Sequence, residues 1–140
     1  KRILILNGPN LNLLGKREPE IYGNLSLEAI MEDLVTTYTD ISFSHFQSNH
    51  EGALMDRLNA CVDDPVDGII INGGALTHYS YSLYDALNML SMPKVEVHIS
   101  HIFSREEFRK TSVISSACDV MISGAGAMGY RLAVEALRSV

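Results

Sequence analysis

The chain has 140 residues, 46% of them hydrophobic and 20% charged, which suits a single globular domain spanning residues 1–140. Eleven basic and seventeen acidic residues give a net charge of −6, which argues against nucleic acid or an anionic membrane as the main partner. The sequence has no apolar run of membrane-spanning length, and Cys61 and Cys118 lie far apart. We therefore expect a cytoplasmic protein with reduced thiols.

The first half of the chain alternates predicted strands and helices. Residues 2–6 form an apolar run typical of a buried parallel strand, and residues 41–47 alternate apolar and polar side chains, as in an edge strand. Between them, Ser26 is placed to cap a helix whose apolar side chains recur at helical spacing. A second helix is predicted to begin around residues 48–51.

The second half repeats the pattern. It predicts strands over residues 68–71, around Val95 and over 119–123, helices over 80–90 and 128–138, and a short helical turn over 106–110. About five β-α repeats predict an α/β protein with a flavodoxin-like, doubly wound, five-stranded parallel sheet.

The segment after the first strand, residues 7–24, is much longer than the usual βα connection of about 2–6 residues. Gly15 and Gly23 are possible hinges, so we predict a mobile lid over about residues 15–24. Arg17 and Tyr22 share this lid. A tyrosine becomes a useful base only when its pKa falls from about 10, which a nearby guanidinium can achieve. From the residues alone, an aromatic anchor packed on the surface is the better interpretation of Tyr22.

Polar residues follow three of the predicted strands. Because the carboxyl ends of parallel strands meet at one edge of the sheet, we expect these residues to converge on a small-molecule site. They are Asn7 and Asn10, then Asn72, Thr77 and His78, then His98 and Ser100. At any single strand, asparagine and glycine are better explained as turn formers, and only the three polar strand ends together favour the site.

Glu96 and His98 lie two residues apart on a strand, so they point to the same face. A carboxylate that accepts one ring N–H fixes the tautomer and favours the protonated ring, which makes His98 a candidate acid. The alternative is a structural polar pair, which the converging strand ends disfavour.

Arg105 and Arg109 lie four residues apart on a predicted helical turn, and arginine binds carboxylates with two hydrogen bonds. A solvated face shared with Glu106 and Glu107 explains Arg105 equally well. Arg109 adjoins the apolar Phe108 and is the better candidate.

Two other patterns do not support a cofactor or metal. Residues 124–129 match the glycine pattern of dinucleotide-binding loops, but no further strand with an acidic residue follows, so close helix packing or an oligomer contact is the better explanation. His98 and His101 are three apart on a strand and face opposite sides unless the backbone turns, so a metal site is not expected.

The chain resembles the type II 3-dehydroquinate dehydratase family over nearly its whole length. The similarity lies in residues 7–15, 17–19, 22–23, 47–49, 51–52, 70–72, 74–75, 77–78, 96–100 and 105–109. It implies a lyase that dehydrates 3-dehydroquinate to 3-dehydroshikimate by anti elimination through an enolate. It also implies a role in the shikimate or quinate pathway, with no cofactor and no metal.

The resemblance implies these roles. Tyr22 is the base, Arg17 keeps it ionised, Asn10 with a water steadies the enolate oxygen, and His98, oriented by Glu96, protonates the departing hydroxyl. Asn72 and the backbone of Ile99 and Ser100 bind the substrate carboxylate, and His78 and Arg109 bind ring hydroxyls.

The resemblance also implies a homododecamer, a tetramer of trimers, in which Asp85 reaches a neighbouring site. Tyr79, Tyr81 and Tyr84 are bulkier than the resemblance leads us to expect on that helix, and we expect them to alter the subunit contact near Asp85. Two alternatives are a flavodoxin-like module that binds a nucleotide or flavin, and a structural oligomer-forming domain. A flavin spectrum would identify the first alternative, and the polar strand ends argue against the second.

Overall fold

The structure is a computed structural model that describes all 140 residues. Its centre is one five-stranded sheet in which every neighbouring pair is parallel and the strand order is β2-β1-β3-β4-β5. The strands are β1 (Arg2–Asn7), β2 (Ser42–Gln47), β3 (Gly68–Asn72), β4 (Lys94–His98) and β5 (Val120–Ser123). This topology confirms the predicted flavodoxin-like sheet, including the edge position of the second strand.

Helices cover both faces of the sheet. The helices are α1 (Pro19–Tyr22), α2 (Leu27–Thr37), α3 (Glu51–Asn59), α4 (Tyr81–Asn88) and α5 (Met128–Ser139). The apolar faces of α2 and α5 join one buried cluster, and those of α3 and α4 join the other. None of these helices has the length and apolar character needed to cross a membrane.

The buried strands explain why polar residues at their ends are informative. Every residue of β3 and β4 is buried, including Asn72, Glu96 and His98. Burying a polar group without a partner is costly, so each of these side chains needs a hydrogen bond inside the protein. Asn7 and Asn72 are register partners at the ends of β1 and β3, which brings the two amides side by side.

Some element boundaries differ from the predictions. The second predicted helix is α3, which begins at Glu51. It begins there because the Ser48 hydroxyl accepts a hydrogen bond from the His50 N–H, which makes a turn before the helix. The predicted turn over 106–110 is a 3₁₀ helix over Glu107–Lys110. Residues 7–24 contain a 3₁₀ turn at Leu11–Leu13 and the short helix α1.

The last glycine of the glycine pattern over residues 124–129 lies inside α5 and serves close packing. A β-carbon added at Gly129 would lie 2.9 Å from a methyl carbon of Val97 on β4, so only glycine lets α5 approach the sheet this closely. Of the two explanations for the glycine pattern, close helix packing and an oligomer contact, this approach supports the first at Gly129. The approach places the next residue, Tyr130, in the core beneath the strand ends.

Candidate active site

A cleft of about 90 Å³ lies beyond the carboxyl ends of β1, β3 and β4. Nine of the eleven predicted site residues line it: Asn10, Arg17, Tyr22, Asn72, His78, His98, Ile99, Ser100 and Arg109. The parallel sheet therefore brings together residues that are up to 99 positions apart in the chain. Glu96 lies behind His98, and Asp85 lies elsewhere.

The Glu96–His98 pair is buried at the end of β4. His98 Nε2 donates to Glu96 Oε2 at 2.5 Å, since an ionised carboxylate can only accept. The exposed fraction of the side chain is 5% for His98 and zero for Glu96. The second ring nitrogen of His98, Nδ1, is left for a ligand in the cleft.

Two serines complete the environment of Glu96. Ser112 Oγ donates to Glu96 Oε2 at 2.9 Å, and Ser115 donates to Oε1. Burial raises the pKa of the Glu96 carboxyl, but the hydrogen bonds from His98, Ser115 and Ser112 outweigh burial and leave this pKa below its ordinary value. Glu96 is thus held as a carboxylate, which orients His98.

The predicted lid carries Arg17 and Tyr22 over the cleft. Arg17 Nη2 donates to the Tyr22 hydroxyl oxygen at 3.0 Å, and the Arg17 guanidinium carbon lies 4.2 Å from the Tyr22 ring centroid. The Arg105 guanidinium carbon lies 5.1 Å from the same centroid. A phenolate at Tyr22 would therefore be stabilised by two nearby cations.

Arginines dominate the charge of the cleft. Arg17, Arg105 and Arg109 all line it, whereas Glu96 is neutralised behind His98 when that ring is protonated. Arg105 Nη1 donates to Ser100 Oγ at 3.0 Å, and its buried Nε has no hydrogen-bond partner, with Glu106 Oε1 at 3.6 Å. Arg109 Nε donates to Glu106 Oε1 at 3.1 Å. The cleft is suited to an anionic ligand although the chain is acidic overall.

His78 lies beside His98 with ring centroids 6.3 Å apart and planes 22° from parallel. Its Nδ1 contacts the Thr111 carbonyl oxygen at 2.8 Å, and a carbonyl can only accept, so Nδ1 carries the proton. Burial lowers the pKa of His78, so its ring is neutral near neutral pH and Nε2 is free to accept a hydrogen bond.

Asn10 lies in the loop that follows β1, and Asn72 is the last residue of the neighbouring strand β3. Asn10 has a positive φ of 69°, a conformation that asparagine tolerates, and its N–H donates to Asn49 Oδ1 at 2.9 Å. Asn72 is 3% exposed, and its Oδ1 accepts the Gly74 N–H at 3.2 Å. Its Nδ2 donates to the Tyr130 hydroxyl oxygen at 3.1 Å.

Asp85 does not reach this cleft. It is exposed on α4 and lines a separate surface depression together with Met55 and Met89. Within one subunit, therefore, it has no contact with the predicted site. The predicted contact across a subunit interface stays a prediction.

The sequence left Arg105 open and did not indicate Ser112, Ser115 or Tyr130, whereas it did place Asn7 among the converging polar residues. The structure places Arg105 in the cleft, Tyr130 against Asn72, and Asn7 behind Tyr130. Ser112 and Ser115 contact Glu96, which lies behind His98. The i, i+4 spacing to Arg109 was the only signal for Arg105. The hydroxyls of Ser112, Ser115 and Tyr130 come from other parts of the chain. No local sequence pattern links them to Glu96 or Asn72.

Comparisons with known proteins agree over the whole chain. The sequence model of the family described as Dehydroquinase class II matches residues 1–138. The 3-dehydroquinate dehydratase of Caldicellulosiruptor saccharolyticus is 49% identical, over 100% of this chain and 98% of that protein. That of Pelodictyon phaeoclathratiforme is 52% identical, over 96% of this chain and 90% of that protein. The crystal structure of type II dehydroquinase from Butyrivibrio crossotus has a TM-score of 0.95 and 45% identity, covering 98% and 97% of the two chains.

Proposed function

Because this chain belongs to the class II dehydroquinase family, we propose that it is a 3-dehydroquinate dehydratase, a lyase that converts 3-dehydroquinate to 3-dehydroshikimate and water. The observation that carries the proposal is the meeting of two proton-transfer pairs, Arg17–Tyr22 and Glu96–His98, at one arginine-lined cleft. One pair suits a base and the other an acid, as an elimination of water requires.

Substrate binding is supported by the charge of the cleft. The carboxylate of 3-dehydroquinate is held by the Asn72 amide and by the backbone of Ile99 and Ser100, all of which line the cleft. His78 and Arg109 bind ring hydroxyls through Nε2 and the guanidinium. Several fixed donors orient the ring, and orientation of a reactant can supply a large part of a rate enhancement.

Proton removal begins the reaction. Tyr22, as the phenolate, takes a proton from the carbon next to the ketone, and the electrons of that C–H bond move onto the ketone oxygen to give an enolate. The Arg17 hydrogen bond at 3.0 Å supports the phenolate. Asn10, with a water molecule, steadies the enolate oxygen.

Loss of hydroxide completes the elimination. As the enolate re-forms the ketone, its C=C electron pair moves to form a new C=C bond with the hydroxyl-bearing carbon, and the C–O bond breaks. His98 Nδ1 gives its proton to the leaving oxygen, which departs as water. Glu96 holds the imidazolium through Nε2. Proton return from Tyr22 to His98 through solvent restores the starting state. This route assigns every proton to a side chain of the protein.

The proposed assembly is a homododecamer, a tetramer of trimers, in which Asp85 approaches a neighbouring subunit's cleft. Two large aromatic side chains at or just before the start of α4, the helix that carries Asp85, support a covered surface, since Tyr79 is 60% and Tyr81 72% exposed in the single chain. The family resemblance also places the reaction in the shikimate or quinate pathway.

The direct test is ultraviolet absorbance of purified protein mixed with 3-dehydroquinate and a metal chelator, because dehydration creates a conjugated enone. We expect the absorbance to rise with enzyme concentration and the protein to be colourless. Folded protein that forms no enone would contradict the proposal. A flavin spectrum in the purified protein would instead favour a flavodoxin-like binding module.

A further inference from the structure

Three buried side chains and the exposed His45 form a continuous hydrogen-bonded chain behind the cleft. Asn72 Nδ2 is 3.1 Å from the Tyr130 hydroxyl oxygen, which is 2.5 Å from Asn7 Oδ1. Asn7 Nδ2 is in turn 3.0 Å from His45 Nε2 on the edge strand β2. Only Asn72 lines the cleft, so the other three cannot touch a ligand there.

The backbone fixes the direction of every bond in this chain. The Gly74 N–H can only donate, so Asn72 must present Oδ1 to it and Nδ2 to Tyr130. The Tyr130 oxygen then accepts from Asn72, and its own proton must go to Asn7 Oδ1. That leaves Asn7 Nδ2 to donate to a neutral His45 ring.

Burial keeps this arrangement in place. Tyr130 and Asn7 are both 0% exposed, so water is not available to replace a lost partner. Burial raises the pKa of the Tyr130 phenol, which preserves its proton for Asn7. Partial burial lowers the pKa of His45, which preserves its acceptor nitrogen although the residue as a whole is exposed.

The Tyr130 ring itself would not require a hydroxyl. The ring belongs to the apolar cluster formed by α2, α5 and the sheet, where phenylalanine would pack as well. The Tyr130 hydroxyl makes hydrogen bonds only to Asn72 and Asn7. It reaches them because Gly129 lets α5 approach the sheet closely.

We infer that Tyr130 and Asn7 are positioning residues that fix the amide orientation of Asn72, so that its second Nδ2 hydrogen is offered to the substrate carboxylate. This inference rests on the proposed function for the identity of the ligand. It predicts that both residues affect substrate binding without contacting the substrate.

The test compares Tyr130→Phe with Tyr38→Phe in the enone assay. Tyr38 is also a buried tyrosine of the same cluster, but its hydroxyl donates to the Arg131 carbonyl, away from the cleft. We expect Tyr130→Phe to raise KM about 10-fold with little change in kcat, and Tyr38→Phe to leave KM unchanged. An unchanged KM in Tyr130→Phe would overturn the inference.

A double-mutant comparison separates positioning from general loosening of the core. In an Asn72→Ala background, Tyr130→Phe should have no further effect on KM, because the side chain through which it acts is gone. Additive effects would overturn the inference. Asn7→Ala should raise KM as Tyr130→Phe does, and it replaces Tyr130→Phe in both comparisons if that variant does not fold.

A crystal structure of Tyr130→Phe decides the point without an activity assay. We expect the Asn72 side chain to leave its present position, since Nδ2 has lost its acceptor. An unmoved Asn72 would overturn the inference. If the wild type forms no enone, the proposed function fails, and the crystal structure alone then decides whether Tyr130 orients Asn72.

Discussion

Glu96 illustrates how single hydrogen bonds decide the chemistry of a buried residue. Burial alone would favour the neutral acid, which cannot hold an imidazolium in place. The donors on His98, Ser112 and Ser115 reverse this preference and lower the pKa of Glu96 below the ordinary 4.5. Since its pKa is lower in the folded protein, Glu96 contributes stability above about pH 4.5, and this contribution is lost as the pH falls through the lowered value.

Removing both serine donors should therefore shift the pH dependence. In a Ser112→Ala/Ser115→Ala variant, the two serine hydrogen bonds that lower the pKa of Glu96 are gone. The effect of burial is then opposed by His98 alone, and the pKa of Glu96 rises. We expect the acid limb of the kcat–pH profile, and the onset of acid unfolding, to move to higher pH. Profiles measured across the acidic and neutral range, with the exposed Ser42→Ala as control, test this. Superimposable profiles would show that the serines do not tune Glu96.

Sequence alone identifies site residues when they occupy a strand end or repeat at a regular spacing. Asn72 and His98 were predictable because parallel strands share one edge. Tyr130 is 58 positions from Asn72, and only the close packing of α5 joins them. Contacts of this kind depend on tertiary packing, which no local pattern encodes.

At the scale of elements, the path of the predicted lid depends on two glycines with positive φ, Gly15 before α1 and Gly23 after it. Gly23 has φ 83° and ψ −179°, a backbone region that is accessible essentially only to glycine. A β-carbon at this position would meet no atom within 4 Å, so the cost of a side chain is purely conformational. The conformation of Gly23 thus determines where the chain leaves Tyr22.

Gly23→Ala should displace the lid without disturbing the core. We expect the substitution to destabilise the present conformation at residue 23 by about 1–3 kcal/mol. The chain then adopts another conformation there, which moves Tyr22 away from the cleft and lowers kcat. The matched control is Gly52→Ala in α3, where an added β-carbon also meets no atom within 4 Å and φ is not positive, so helix stability should rise slightly. Steady-state kinetics with thermal unfolding measures both effects. A Gly23→Ala enzyme with the wild-type kcat would contradict this role of the glycine.

The elements themselves were largely predictable, and their boundaries were not. Apolar runs and helical spacing identify the strands and long helices, because burial imposes those periods. Ser48 satisfies the rule for a helix cap, yet its hydroxyl makes the turn that precedes α3. The short elements within residues 7–24 lack any apolar period, so the sequence predicts no helix there.

At the scale of the whole molecule, charge is arranged unevenly. The chain carries a net charge of −6, yet three arginines line the cleft. A local positive site on an acidic protein favours a small anion over a polyanion such as nucleic acid. Composition thus indicated the absence of a large basic surface, while the fold determined where the arginines gather.

The proposed assembly predicts a dependence of activity on subunit contacts. We expect light scattering to give about twelve times the 15.4 kDa subunit mass. Tyr81→Glu, which places a charge at a 72% exposed aromatic position, should reduce that mass and activity together. Asp85→Asn should keep the mass and raise KM. A monomeric wild type with full activity would contradict the shared site.

The most direct test of the account is the rate of enone formation by Tyr22→Phe and His98→Ala, measured beside the wild type and Tyr38→Phe. Removal of a base or an acid from an elimination typically costs about 10²- to 10⁴-fold in rate. We predict losses of this size in both variants and none in Tyr38→Phe. A Tyr22→Phe enzyme that retains the wild-type rate would contradict the assignment of Tyr22 as the base, and the same result for His98→Ala would contradict that of the acid.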